Sequence, residues 1–218
     1  MNIVKRIKVP FISGLESMDP AGIDLAMETY GSKFWVCENN WAKDFPYAPD
    51  CVGTIAMSES YLAVTFRVRG LDLRATALED NGRSWEDSCV EFFVSDPYDG
   101  SYYNFELTAI GSLLADKKKT RADSERFSEA KLSRIIRYTT LERKAYDESD
   151  SVFSWSVVMM IPFDLIGFEK GKVPVSIRGN FYKCGDKTAH PHYLSWNPVK
   201  TPRPDFHRPE FFGELILR

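Results

Sequence analysis

Trp85-Glu86-Asp87-Ser88-Cys89-Val90-Glu91-Phe92-Phe93-Val94 is followed by Asp96-Pro97-Tyr98-Asp99-Gly100 and then by Tyr102-Tyr103-Asn104-Phe105-Glu106-Leu107-Thr108. This reads as strand, turn and returning strand. Pro and Gly beside two aspartates make a strong turn. The flanking runs alternate with period two, which puts successive side chains on opposite faces of a sheet. Val90, Phe92 and Val94 share one face, and Glu91 and Phe93 share the other. In the second run Tyr103, Phe105 and Leu107 look inward, while Tyr102, Asn104, Glu106 and Thr108 look outward.

Working outward from this hairpin, the same pattern recurs along the chain. Candidate strands are Ile3–Val9, Lys33–Cys37, Gly53–Met57, Tyr61–Arg69, Ser88–Ser95, Tyr102–Thr108, Ser112–Asp116, Ser133–Leu141, Val152–Ile161, Val173–Lys183, His192–Trp196 and Phe212–Leu217. They are rich in Val, Ile, Phe, Tyr and Thr, as pleated and half-buried segments prefer. Helical signals are few. Asp19-Pro20 opens Ala21–Tyr30, with Gly31 closing it. Asp123–Leu132 and Pro162–Gly167 each read as a turn or two. The expectation is all-β: one domain over residues 1–218, an antiparallel β-sandwich of jelly-roll or immunoglobulin-like kind with a few short helices.

Bulk properties narrow the function classes. The 218 residues are 44% hydrophobic and 27% charged, with a net charge of −3. Such a balance offers no electrostatic case for nucleic acid or an anionic membrane. The basic run Lys117-Lys118-Lys119 is followed by Asp123, Glu125 and Glu129 and reads as a solvated charged face. No stretch approaches the ~20 apolar residues of a membrane span. Met1–Pro10 lacks the apolar region of a signal peptide. The expected location is cytoplasmic as the chain stands, and extracytoplasmic if a leader has been removed. Cys37, Cys51, Cys89 and Cys184 form no C-x-x-C pair and are expected as free thiols.

The candidate site residues come from strand alternation. In Val173–Lys183 the apolar face is Val173, Val175, Ile177, Gly179 and Phe181, and the other face is Ser176, Arg178, Asn180 and Tyr182. Together with Glu91 and Asn104, these define a polar sheet floor. Trp85 and Trp196 each sit at the edge of a β-like run beside turn formers. Aromatic rings at the rim of a floor of acids and amides suit a sugar, whose C–H face stacks on a ring while its hydroxyls take hydrogen bonds. Trp35, Trp41 and Trp155 fit core or edge packing better. A different class of reading makes Glu91 and Glu106 the carboxylate pair of a glycan-active hydrolase. A third keeps the fold as an interaction domain. His190, His192 and His207 read as structural rather than metal-binding, and no P-loop, dinucleotide fingerprint, G-x-S-x-G or H-E-x-x-H occurs.

The Trp85–Val94 block resembles the W-x-D-D-x-V-E-x-F segment of family 9 carbohydrate-binding modules. Tyr102–Gly111 is similar to that family's next strand in its stand-alone bacterial relatives, and Trp155–Phe163 resembles its W-x-x-x-x-x-I-P-F strand and turn. Asn180–Asp186, His192–Pro198 and Pro204–Gly213 look like family 9-like proteins of gut and soil Bacteroidetes. The resemblance covers roughly Phe34 to the C-terminus. It implies non-catalytic binding of an oligo- or polysaccharide of glucan or xylan type, for polysaccharide catabolism beside a glycoside hydrolase partner. It also implies two tryptophans clamping a terminal sugar. By position Trp85 and Trp196 match the clamp and Glu91 a hydroxyl acceptor. Asn104, Arg178, Asn180 and Tyr182 carry over by strand alone. No cofactor is implied beyond structural calcium, whose ligands do not transfer to named residues here.

Overall fold

The structure is a computed structural model that describes residues 4–149, 151–169 and 171–217. In chain order its strands are β1 (Arg6–Lys8), β2 (Ser32–Trp35), β3 (Glu38–Asn39), β4 (Asp50–Met57), β5 (Tyr61–Gly70), β6 (Leu73–Ala75), β7 (Cys89–Ser95) and β8 (Tyr102–Thr108). They continue as β9 (Leu113–Lys118), β10 (Ser124–Arg126), β11 (Ile136–Thr139), β12 (Tyr146–Ser149), β13 (Phe153–Pro162), β14 (Ser176–Cys184), β15 (Tyr193–Ser195) and β16 (Gly213–Ile216). A large sheet runs β1-β16-β14-β7-β8-β9-β10, with β15 and β3 branching from β14. A second sheet runs β11-β13-β5-β4-β2, and β12 pairs with β6 apart from both. Of the paired strands only β1 and β16 run parallel. The two antiparallel sheets stack as the expected sandwich.

The long strands follow the alternation of the sequence. β7 and β8 pair over their whole length, from Cys89 opposite Thr108 to Ser95 opposite Tyr102. The Asp96–Gly100 turn between them is held by Asp96, which accepts from the Tyr98 and Asp99 amides. The inward faces interdigitate as aromatic layers. Phe34 of the small sheet stacks on Phe181 of the large one at 3.7 Å between centroids, and Phe92 stacks on Phe181 at 5.0 Å. These three fully buried rings supply a large share of the apolar area that holds the sheets together.

Helix α1 (Pro20–Tyr30) begins as expected, with Pro20 at its first position and the Asp19 side chain accepting from the Gly22 amide. Its buried residues Ile23, Ala26 and Met27 pack with Ala56, Ala63, Val158 and Met160 on the outer face of the small sheet. The Phe163–Ile166 turn is a short 3-10 helix. In Asp123–Leu132 the first half is instead the edge strand β10, and only Glu129–Leu132 is helical (α2). Four strands of two to four residues, β3, β6, β10 and β12, fall outside the expected set, because so few residues display no periodicity. The first residue of the expected Ile3–Val9 strand lies outside the described residues.

The outward face of the large sheet differs from the expected open floor. Phe93, Tyr102 and Tyr182 on that face are buried under Trp41, Val199, Phe206 and Phe212. The segments 40–45 and 197–212 supply this lid, so polar residues on the face become interior residues. Part of the face stays open to solvent, and a walled cavity lies over the β7-β8-β9 region.

Candidate functional site

Four adjacent strands build the floor. Tyr182 of β14 lies opposite Glu91 of β7, Glu91 opposite Glu106 of β8, and Glu106 opposite Leu114 of β9. One row along, Asn180, Phe93, Asn104 and Asp116 are successive partners. Above this floor is a cavity of about 320 Å³ lined by Trp85, Glu91, Glu106, Asp116, Lys118 and Arg126. Arg121, Cys184, Asp186, Tyr193 and the Pro204–His207 segment complete its walls.

Trp85 reaches the rim from a 3-10 turn, Ser84–Glu86, just before β7. Its neighbour Asp87 explains why the turn holds. The buried Asp87 carboxylate accepts from the Thr76 and Ala77 amides, at 2.7 Å each, and pairs with Arg74. The Asp186 and Lys187 amides donate to the Trp85 and Glu86 carbonyls, which ties the turn to the end of β14. The Trp85 side chain is left more than one-third exposed, at the mouth of the cavity.

Another wall is the 204–207 segment before β16. Tyr182 donates from its hydroxyl to the Phe206 carbonyl, and its ring stacks on Phe206 at 4.1 Å. The Tyr102 hydroxyl lies 3.1 Å from His207 Nδ1. Burial pushes the His207 imidazole down to about 3, so it stays neutral and is a hydrogen-bond partner rather than a cation.

The floor carboxyls are strongly perturbed. Burial, then the neighbouring Asp116, pushes Glu106 up to about 7. Burial, with Cys184 and Glu106 beside it, pushes Glu91 well above the usual carboxylate range. Burial also raises Asp186 to about 6. Asp116 is held by Lys118 and Arg126, at 3.2 and 2.5 Å. The Asn104 amide donates to Glu106 Oε1 at 3.0 Å. Two buried acceptors remain without a donor from the protein, Asn104 Oδ1 and Glu106 Oε2. A buried acceptor left unpaired costs roughly 1–3 kcal/mol. A ligand carrying hydroxyl donors removes that cost.

The expected residues divide between this cavity and the rest of the fold. Trp85 and Glu91 line the cavity, and Asn104 lies beside Glu106 on its floor. Trp196 does not form a second jaw. Its ring is buried between the sheets, 5.4 Å from Phe181, and a Cβ at Gly213 would come within 2.3 Å of it. The short β15 ends at Ser195, and the chain there turns Trp196 toward the aromatic core. Asn180 is fully buried. Its amide accepts from the Phe181 and Asn197 amides and donates to the Asn197 carbonyl, so it is spent on anchoring the chain after β15. Tyr182 is fully buried and holds the Phe206 segment. Arg178 lies at the far end of β14, where its guanidinium donates to the Phe212 and Glu210 carbonyls.

Several lining residues were not singled out in the sequence. Lys118 belongs to the basic run read as a solvated face, yet only Lys117 and Lys119 lean away from the cavity-facing row, and Lys118 is buried beside Asp116. Extending the alternation of Leu114 and Asp116 by one step would have placed it. Arg121, Arg126, Asp186, Asp205 and Phe206 lie on loops and a short strand that carry no periodic signal, and Tyr193 lies in the expected His192–Trp196 strand without having been singled out. Of the three histidines, His190 pairs with Asp72, His192 bonds Lys183 and the His190 carbonyl, and His207 lies against the Tyr102 hydroxyl.

The site is thus a walled polar cavity on a two-layer β-sandwich, with one tryptophan at its rim and unpaired acceptors on its floor. The model of carbohydrate-binding family 9 matches residues 24–217, and the chain belongs to that family. A Bacteroides uniformis protein, whose proposed role is carbohydrate binding, is 35% identical over 99% of this chain and 100% of its own, with a TM-score of 0.91. A family 9 module of Caldicellulosiruptor kristjanssonii in complex with glucose superimposes with a TM-score of 0.53 at 14% identity, covering 98% of this chain and 96% of that one. A module of the same organism in complex with cellotriose gives 0.60 at 13%, covering 98% and 94%. At that identity the two modules share the fold. No curated protein matches this chain.

Proposed function

We propose that the chain binds, without cleaving it, a short sugar or the end of a glucan- or xylan-type chain in the cavity beneath Trp85. The observation that carries this reading is the unpaired Glu106 Oε2, buried on the floor of a cavity whose rim is an accessible indole. A pyranose satisfies both features at once, with its C–H face on the Trp85 ring and its hydroxyls on Glu106, Asp116 and Glu91. Lys118 and Arg126 stand ready to donate to its oxygens. The volume lies at the small end of ligand pockets, roughly 300–1,000 Å³, so it suits a short sugar better than a long chain. The glucose and cellotriose held by fold relatives support a glucan ligand. The other aromatic walls are then Tyr193 and Phe206, and Trp196 lines none of the cavity. A glycoside hydrolase acting on the same polysaccharide is the partner that this role suits.

Hydrolysis by Glu91 and Glu106 fits the geometry less well. The two are direct cross-strand partners on one wall, with Cβ atoms therefore about 5 Å apart. A glycosidase needs two carboxyls flanking the scissile bond, one of them ionised as base or nucleophile. Here burial disfavours ionisation of both.

The test is calorimetry with glucose, cellotriose and xylotriose on the purified protein. Binding in the micromolar range is expected for at least one sugar. Trp85→Ala should weaken it about tenfold or more, through lost stacking and lost burial. Unchanged affinity in a folded Trp85→Ala protein, or no binding of any of these sugars by the parent protein, overturns the reading.

A further inference from the structure

Among the described residues, Cys89, Glu91 and Cys184 are a group of three donor side chains whose ligating atoms all lie within 4.8 Å of one another. Cys89 and Cys184 are direct partners across β7 and β14, and Glu91 sits two residues along on the same face. Strand geometry therefore aims all three side chains to one spot. The Cys184 Sγ to Glu91 Oε1 distance is 3.1 Å. All three residues are nearly inaccessible, but Glu91 and Cys184 reach the wall of the cavity, which gives an ion a way in.

We propose that Cys89 Sγ, Cys184 Sγ and the Glu91 carboxylate form a zinc site in the wall of the cavity. A tetrahedral zinc with arms of about 2.3 Å to sulfur and about 2.0 Å to a carboxylate oxygen holds its donors roughly 3.5–3.8 Å apart. The observed spacing needs only small side-chain rotations to reach that. Two thiolates select a borderline or soft ion over calcium or magnesium, which prefer oxygen donors. Three protein ligands leave one position for water or a further donor. Binding transfers no electrons: the two thiol protons, and the carboxyl proton where present, leave to water as the metal–ligand bonds form. The proposal rests on these three side chains and not on the sugar reading, since the ion is expected whether or not a sugar binds.

The test uses the full chain, reduced and stripped of metal with a chelator that is then removed. Zinc should bind at one equivalent in competition with a chromophoric chelator. Cobalt(II) in its place should show thiolate-to-cobalt charge-transfer absorption in the near ultraviolet. Cys184→Ser and Cys89→Ser should each weaken binding on the order of 100-fold, and Glu91→Gln on the order of tenfold. Cys37→Ser should leave it unchanged, because Cys37 is exposed and remote from the group in sequence and strand. Three results overturn the proposal. One is no zinc uptake by the reduced parent protein. Another is a cobalt spectrum without thiolate bands. The third is a non-reduced protein in which thiol titration finds Cys89 and Cys184 joined as a disulfide and in which reduction restores no zinc binding. Glu91→Gln keeps the site testable if a cysteine variant does not fold.

Discussion

Trp85 and Trp196 show how one residue type takes opposite roles on a single sheet. Trp85 hangs from a turn whose stability belongs to Asp87, so its own ring is free to meet a ligand. Trp196 is locked between Phe181 and the bare backbone of Gly213. Truncating them should therefore separate binding from stability. Trp196→Ala should cost about 3–5 kcal/mol of stability, the usual range for emptying a buried aromatic site. Trp85→Ala should cost less than about 1 kcal/mol, while removing most sugar affinity. Chemical denaturation of the two variants beside calorimetry checks both halves. Equal stability losses would mean that Trp85 is also a packing residue. Gly213→Ala should destabilise for the same reason as Trp196→Ala, because its methyl group would collide with the ring and cannot be relieved by a flexible side chain.

At the scale of elements, the cavity is the work of two short segments pinned onto a regular sheet. The 84–87 turn is pinned by Asp87, and the 204–207 segment by Tyr102 and Tyr182. Asp87→Ala leaves two amides and Arg74 without their buried anion, so it should cost about 3 kcal/mol. It should also weaken sugar binding although Asp87 does not line the cavity. Tyr182→Phe keeps the stack on Phe206 and loses only one hydrogen bond, so it should cost about 1 kcal/mol. Thermal melts with and without sugar distinguish these outcomes. Loss of affinity in Asp87→Ala without loss of stability would assign Asp87 a direct contact instead. The sheet itself was legible in the sequence, since Val90–Val94 and Tyr102–Thr108 alternate without interruption and their faces came out as read, as did Val173–Lys183 from Ser176 on, while Val175, read onto the apolar face, precedes β14 and is exposed. The lid was not legible. Whether Asn180 or Tyr182 meets solvent depends on where Phe206 and Phe212 fold back, and that is decided by contacts distant in sequence. Trp196 followed the same rule: its place at a strand edge was readable, but the direction of its ring was set by Phe181 and Gly213.

For the whole molecule, burying an acidic floor makes stability depend on pH in a direction that can be worked out. Glu106 is raised to about 7 in the fold by burial and by Asp116, against the partial relief of Asn104, Lys118 and Arg126. Glu91, facing it from β7, is raised further. The folded state therefore holds these protons at pH values where the unfolded chain has released them, and stability falls as pH rises. Two histidines act in the other direction. Burial lowers His207 to about 3 and His192 well below its usual value, so they add stability as pH rises until the unfolded imidazoles are neutral, about pH 7.5. Asp186, raised to about 6, has largely finished its change by then. Below pH 6.5 the opposing groups offset one another. From about pH 6.5 to 8 the glutamates oppose the last of the imidazole gain and that of Lys183, whose charged form burial disfavours, and the release of Glu106 by itself should lower stability on the order of 1 kcal/mol, or about 2–4 °C in Tm. Glu106→Gln, measured in the presence of a chelator, should flatten that slope and raise Tm at pH 8. A Tm profile from pH 6.5 to 8 that is unchanged in Glu106→Gln would show that Glu106 does not hold its proton in the folded protein. Saturating sugar should also reduce the slope, because hydroxyl donors stabilise the ionised carboxylate that burial penalises.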